Sequence, residues 1–446
     1  MIAVVGGGIA GLSAAYELSV RGVPFKLFES TSRLGGLIRT DHADSFTIDA
    51  GADSMLAQKR AGLDLCVELG LESRLIPTRT PRTAFVLHAG RLHPLPSPSM
   101  LGLPATWRGL IAFDLLPMHA RARVALEPLV PRRACDGESI GAFFARRFGR
   151  ATVDLLAQPL LGGIHSGDVN ALSLRALMPR LADAEASGSV LHWVRRVAAT
   201  GDPGGAFRSL SGGMGDLVNA LHARLPPDSV ALNAPVRSLA RGWTVRLPDG
   251  EFPCAAVILA APAHAAAEML ATVDPAAAAL CARTAYVSTA SVVLAWPRGA
   301  VRHPLQGTGF VVARARSAVR MNACTWISSK FEGRAPADAA LFRVFFGGAT
   351  DPGAVDLDDE ALVDTATREL SKVLSIEGPA RFARVYRWRD AGAQHDVEHP
   401  ARMTALDARI ATLPGLFVTG GGFRSVGVPD CIADGRATAG AAASTL

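Results

Sequence analysis

The sequence predicts an α/β chain, α+β overall, in which a Rossmann-type dinucleotide-binding domain is joined to a mixed-sheet domain and carries an inserted helical domain. Three observations predict it. A short apolar strand, Ile-Ala-Val-Val, runs directly into the glycine turn Gly6-Gly7-Gly8 and an apolar helix. A second strand, Pro-Phe-Lys-Leu-Phe-Glu, ends on the acid Glu29. Far downstream, segments rich in β-branched and aromatic residues recur at strand spacing between Thr289 and Gly348.

Each element has its own reason. In the GxGxxG pattern, Gly6 makes the tight turn, Gly8 lets a backbone approach a diphosphate, and Gly11 lets helix and strand pack closely. Gly7, Ile9 and Ala10 complete this loop and the first turn of the helix, which ends near Gly22. Glu29 stands where an acid reaches a ribose. From about Arg60 to Trp193 the chain reads as mixed helical segments with proline punctuation. "SLSGGMGDLVNALHARL" is a glycine turn feeding a helix, and strand-like pieces follow from Ser229 to Pro262. Asp358 to Leu374 is helical, and Leu416 to Val418 is a buried strand. It opens into "GGFRSVGVPDCIADG", a second glycine loop feeding a helix near Pro429, where the missing N–H of proline does no harm.

A chain of 446 residues, 49% apolar, exceeds one ordinary core. The expected units are 1–55, 207–265 and 383–446 for nucleotide binding, 56–206 for the helical domain, and 266–382 for the sheet domain. The formal charge of +6 suits an anionic ligand or an acidic membrane surface, and no basic block points to nucleic acid. Six scattered cysteines show no metal-ligand spacing, so reduced thiols and no metal are expected. No signal peptide is read before the first strand and no apolar run reaches ~18 residues, so a cytoplasmic protein is expected. "RGLIAFDLLPMHARARVAL" mixes apolar and basic residues at helical spacing, which leaves core packing and peripheral membrane contact both open.

"ESTSRLGGLIRT" places Arg33 and the pair Gly35-Gly36 just after Glu29. This resembles the RxGG motif of the FAD family that includes amine oxidases, phytoene desaturases and protoporphyrinogen oxidases. "FTIDAGADSML" resembles that family's next strand and turn. "LLGGIHSGDVNALSLRA", "FRSLSGGMGDLVNAL", "AAVILAAPAHAAAEML", "GTGFVVARA", "ACTWISSKF" and "GVPDCIADGRATA" resemble, in order and spacing, motifs of the protoporphyrinogen and coproporphyrinogen oxidases. The resemblance covers nearly the whole chain.

The resemblance implies non-covalent FAD held by Gly6, Gly7, Gly8, Ile9, Ala10, Gly11, Glu29, Arg33, Gly36, Leu37, Gly51, Ala52, Asp53, Ser54, Val236, Trp388, Gly421, Val426, Gly427 and Val428. Thr308, Gly309 and Val311 would line the flavin's reacting face, with Gly163 and Ile164 opposite and Lys59 at the rim for a substrate carboxylate. The implied reaction is six-electron oxidation of a porphyrinogen in haem biosynthesis, hydride leaving a meso carbon for flavin N5 and dioxygen leaving as peroxide. No side chain is expected to act as acid or base. A homodimer is a candidate assembly. Another flavin oxidase or desaturase, or a non-catalytic binding protein on the same fold, are the alternatives. The chain departs from the family pattern at Ala52, His165, Ala393-Gln394-His395, Glu398 and Gly420 to Gly422. These departures bear on substrate selectivity more than on flavin binding, and His165 and His395 are read as pocket or loop histidines.

Overall fold

The computed structural model of the chain describes residues 1–199, 202, 204–314, 317 and 319–445. A five-stranded parallel sheet is ordered Val230–Ala231, Phe25–Phe28, Ile2–Val5, Ala256–Leu259, Leu416–Val418. The two central strands, Ile-Ala-Val-Val and Ala-Val-Ile-Leu, are buried at every position because both faces of the sheet are covered. Ile2 and Val4 face one core with Leu12, Leu18, Ile432 and Ala439. Ala3 and Val5 face the other with Leu259, Ala263 and Leu270. The helices Ile9–Val20 and Val428–Ala443, separated by nearly the whole sequence, pack together on the first face. Their approach is close: a Cβ on Gly435 would stand 2.3 Å from the Ala10 carbonyl oxygen.

A second, seven-stranded sheet is ordered Phe382–Ala393, Tyr286–Pro297, Ala339–Gly347, Ala323–Trp326, Gly309–Val312, Ala84–His88, Arg91–Pro94. Only the Gly309–Val312 and Ala84–His88 pair is parallel. One face packs Leu294, Trp296, Phe342 and Val344 against Leu362, Ala366 and Leu370 of the helix Asp359–Leu374. The other packs Val293, Ala295 and Leu341 against Phe46 and Ile48 of the hairpin that precedes the turn at Gly51. The sheet domain thus lies directly over the nucleotide-binding domain.

Two stretches fall outside the expected boundaries. Residues 84–94, placed in the helical domain by sequence, form a hairpin of the seven-stranded sheet. Its turn, Ala89-Gly90, has φ of +49° and +78°, the left-handed pair that a tight hairpin requires. Phe382–Ala393, placed in the nucleotide-binding domain from 383 onward, is an edge strand of the same sheet, paired with Tyr286–Pro297.

The helical unit has its own core around Phe143, Phe144, Phe148, Leu156, Leu161 and Leu174, closed by Val86, Val311 and Ala313 from the sheet. The last residue of the GTGFVVARA motif, 315, lies outside the described residues. The apolar-basic stretch forms two helices, Trp107–Ala112 and Met118–Ala125. Leu110, Phe113, Leu116 and Val124 are buried, whereas Ile111, Met118 and nearby Leu129 are 70%, 78% and 78% exposed. Core packing and an outward apolar face therefore coexist there. Among the described residues, no helix is long and apolar enough to cross a membrane.

Candidate flavin site

The glycine turn after the first strand is shaped by its neighbours. Gly6 has φ +111°, and a Cβ on Gly11 would stand 1.9 Å from the Gly6 carbonyl oxygen. At Gly8 a Cβ would meet nothing within 4 Å, and no side chain caps the helix Ile9–Val20. The N–H groups of its first turn therefore open on free space, which fits a diphosphate at the positive end of the helix. Glu29 is buried at the end of the second strand. Its Oε2 accepts the Gly7 N–H at 2.8 Å, and its Oε1 accepts the Thr31 N–H and hydroxyl, each at 2.8 Å. The carboxylate thus fixes the glycine turn from within the same domain.

The second glycine motif packs on the first. Gly35 N–H donates to the Gly7 carbonyl at 2.8 Å, and a Cβ on Gly36 would stand 3.1 Å from Gly8 Cα. Arg33 folds over this contact and donates to the carbonyls of Leu34, Ile38 and Gly36 at 3.3, 3.3 and 2.6 Å. The arginine therefore braces its own loop. Its guanidinium also lies 5.8 Å from the Trp388 ring, and both residues line an open cleft of about 320 Å³ with Arg39, Asp41, Arg384 and Tyr386. Trp388 Nε1 donates to the Ala50 carbonyl at 3.1 Å, so the edge strand reaches the expected flavin turn. Leu37 is half exposed, and its carbonyl leaves no room for a Cβ at Gly51 and accepts the Ala52 N–H at 3.3 Å.

That turn is locked by cations the sequence reading missed. Asp53 binds Lys330 Nζ at 2.9 and 3.0 Å and Arg343 Nη2 at 3.3 Å, and accepts the Ser54 hydroxyl at 2.6 Å. Burial raises its pKa, but Lys330 and Arg343 outweigh burial and hold the carboxyl well below the ordinary range. Arg343 also donates to the carbonyls of Asp49 and Gly51, and buried Arg334 pairs with Asp49 at 3.0 Å. The available signal was a lone arginine inside the apolar run Leu-Phe-Arg-Val-Phe-Phe, since a buried cation needs a partner.

The C-terminal glycine loop ends in Gly427, which caps the helix Val428–Ala443 without a side-chain bond. Val426 is exposed ahead of it, and Val428 and Pro429 form its first turn. Lys59, the expected rim cation, is paired with Asp430 of this turn at 2.5 Å, with both side chains partly exposed. Val236 is buried among Phe28, Leu239 and Trp243, leaving only its backbone for a ligand. His165 is half-buried, and burial, with His395 and Lys59 nearby, pushes it down to about 4. It is neutral at physiological pH.

The residues expected at the substrate face lie along the seam between the sheet and the helical unit. Thr308 N–H donates to the Thr83 carbonyl at 2.9 Å, and Val311 packs against the helical core. The strand Gly309–Val312 touches the helix Val153–Gly162, beyond which Gly163 faces open space and Ile164 is exposed. Gly309 has φ +136°, and a Cβ there would lie 2.2 Å from the Cys324 carbonyl oxygen. Close backbone packing within the sheet accounts for this glycine. Among the described residues, one trio has metal-ligand proximity, Cys135, Glu138 and Glu185, but Arg146 engages both of its carboxylates.

The family of flavin containing amine oxidoreductases matches residues 9–443. A Bacillus subtilis (strain 168) protein named coproporphyrinogen III oxidase is 33% identical, covering 98% of this chain and 96% of that protein. Protoporphyrinogen oxidase 2 of Arabidopsis thaliana is 27% identical, covering 97% of this chain and 92% of that protein. A crystal structure of a provisionally named protoporphyrinogen oxidase from Exiguobacterium sp. 255-15 superposes with a TM-score of 0.88 at 29% identity, covering 99% of this chain and 98% of that one. The glycine turn, its acid and the second glycine motif thus belong to a chain related end to end to these proteins: it is a member of the flavin containing amine oxidoreductase family and groups there with the coproporphyrinogen III and protoporphyrinogen oxidases.

Proposed function

We propose that this enzyme binds FAD non-covalently and oxidises coproporphyrinogen III to the porphyrin, with protoporphyrinogen IX the poorer substrate. The observation that carries the reading is the end-to-end kinship with coproporphyrinogen III oxidases, supported by two glycine-led helices, Ile9–Val20 and Val428–Ala443, whose N-termini carry no side-chain cap. A bound flavin would supply a two-electron acceptor for the substrate's hydride, with dioxygen as the terminal acceptor giving peroxide, so three rounds would account for the six electrons. The chain's own residues hold and orient. The first helix turn and Glu29 receive the diphosphate and ribose. The N-terminus of Val428–Ala443 carries no side-chain cap, so its positive end would favour the negative charge that a flavin ring gains on reduction.

Lys59 and Asp430 set the charge at that edge, and Lys59 is the candidate partner for a substrate carboxylate. In support of a non-covalent flavin, burial, then Asp430 and Asp434, push the Cys431 thiol in the first turn of Val428–Ala443 up to about 12, which disfavours its thiolate at neutral pH. The exposed apolar side chains Ile111, Met118 and Leu129 form a candidate peripheral contact with an acidic membrane surface in the cytoplasm. The test is anaerobic mixing of the yellow protein with each porphyrinogen. Bleaching of the flavin band, faster with coproporphyrinogen, supports the proposal, and no bleaching with either overturns it.

A further inference from the structure

We propose that the stacked imidazoles of His395 and His399 form a positioning clamp that holds the Gly420–Phe423 turn in place for the flavin. The inference rests on the flavin reading above. The two rings lie 3.8 Å apart between centroids with 7° between their planes, and both residues are buried. His395 Nε2 is 3.0 Å from the Gly421 carbonyl oxygen, and His399 Nε2 is 2.6 Å from that of Phe423. A carbonyl only accepts, so each Nε2 carries a proton. His399 Nδ1 lies 3.3 Å from Arg402 Nη2, which only donates, so Nδ1 carries none and the ring is neutral.

The main chain of the same segment holds the helical unit. His395 carbonyl accepts the Ser173 N–H at 2.9 Å, Val397 N–H donates to the Ala171 carbonyl at 3.2 Å, and Gln394 Nε2 donates to the His165 carbonyl at 3.1 Å. One segment therefore joins the pocket's helical wall to the flavin turn.

Protonation opposes this arrangement. A second proton on His399 would face Arg402, and charges on both rings would repel at stacking distance. The neighbouring carboxylate Asp396 is already engaged by Arg402, Glu398 pairs with Arg283, and His165, itself under the influence of Lys59, interacts electrostatically with His395. Burial lowers both rings from the ordinary histidine value. With folded values lowered, the contribution to folding stability is fully present above about pH 6.5 and is lost as pH falls below it, the folding equilibrium weakening by up to about tenfold per pH unit for each ring that stays neutral.

The experiment is FAD binding to the apoprotein by flavin fluorescence at pH 7.5 and 5.5, with a circular-dichroism melt of the apoprotein at each pH. The wild-type apoprotein is expected to melt at a lower temperature at pH 5.5 than at pH 7.5, since the buried rings stay neutral in the folded protein while the unfolded chain takes up protons. His395→Tyr, a stacking donor that does not titrate here, and His399→Gln are each expected to reduce that fall, with FAD affinity at pH 7.5 close to wild type. His395→Phe, which cannot donate, is expected to bind more weakly at both pH values. FAD affinity in His395→Phe equal to wild type, or a fall in melting temperature equal in all variants, overturns the clamp while leaving the flavin reading intact. Absence of FAD binding at pH 7.5 overturns both.

Discussion

Replacing Asp53 by Asn tests the lock between the flavin turn and the sheet domain. The amide keeps the shape of the carboxylate and one acceptor, but removes the charge that offsets Lys330 and Arg343. The three side chains are 18%, 14% and 6% exposed, so solvent screens the loss only in part. Breaking a fully buried pair costs about 3–5 kcal/mol, and an exposed one about 0–1 kcal/mol. This site lies nearer the buried end, at about 2–3 kcal/mol. At about 2 °C per kcal/mol for a large chain, the melting temperature should fall by about 4–6 °C. Because the folded pKa of Asp53 is depressed, its contribution is fully present above the unfolded value of about 3.9 and is lost only as pH falls through the lower folded value. The penalty should therefore be constant from pH 5 to 8. Adding Lys330→Met to Asp53→Asn should recover part of the loss, since it removes one unpaired cation. A melting temperature within 1 °C of wild type for Asp53→Asn would refute the lock.

Glu29→Ala should weaken FAD binding by about 1.5–3 kcal/mol, roughly ten- to a hundredfold, read by fluorescence titration; unchanged FAD binding, or binding of NAD instead, would count against the site. Gly309→Ala places a Cβ against the Cys324 carbonyl at a φ that side chains avoid, so its melting temperature and flavin content should fall together. A stable, flavin-loaded Gly309→Ala protein that has lost only turnover would assign this glycine to the substrate instead. Lys59→Ala should raise KM for coproporphyrinogen about tenfold and less for protoporphyrinogen, with kcat little changed, and identical kinetics would remove Lys59 from the rim. Ile111→Ser with Met118→Ser and Leu129→Ser should abolish co-sedimentation with anionic vesicles; equal sedimentation of variant and wild type would discard the membrane face.

The parts of the site that were legible in the sequence are those whose constraint is local. Gly6, Gly8 and Gly11 are spaced by one turn and one helix start, and Glu29 ends the adjacent strand, so backbone sterics and strand pairing suffice to place them. The strand-rich region after Thr289 was legible for the same reason. What could not be read is the choice of partner across the chain. Lys330 finds Asp53 at a separation of 277 residues, and Lys59 finds Asp430 at 371. A charge pattern shows that such a residue needs a partner, not which one it takes. The hairpin at 84–94 was missed because its turn, Ala89-Gly90, lacks the Asn-Gly or Asp-Gly signal, and its strands are short, the second, Arg-Leu-His-Pro, half polar and ending on proline.

The two ends of the flavin site are closed by different physics, and this separates the effects of mutation. At the diphosphate end, glycine backbones meet directly, Gly35 on Gly7 and Gly36 beside Gly8, with Glu29 fixing the turn from within the same domain. At the end proposed for the isoalloxazine, closure comes from Lys330 and Arg343, which reach from the sheet domain onto Asp53, and from the 394–399 segment, which ties the Gly421 turn to the helical wall. Loss at the first end removes ligand contacts without releasing a domain contact, so Glu29→Ala should lower FAD affinity far more than the melting temperature of the apoprotein. Loss at the second end frees one unit from another, so Asp53→Asn should lower the apoprotein's melting temperature before any flavin is added. If both variants shifted affinity and melting temperature in the same proportion, the two ends would be one cooperative structure, and the division between a local cradle and a shared lock would be wrong.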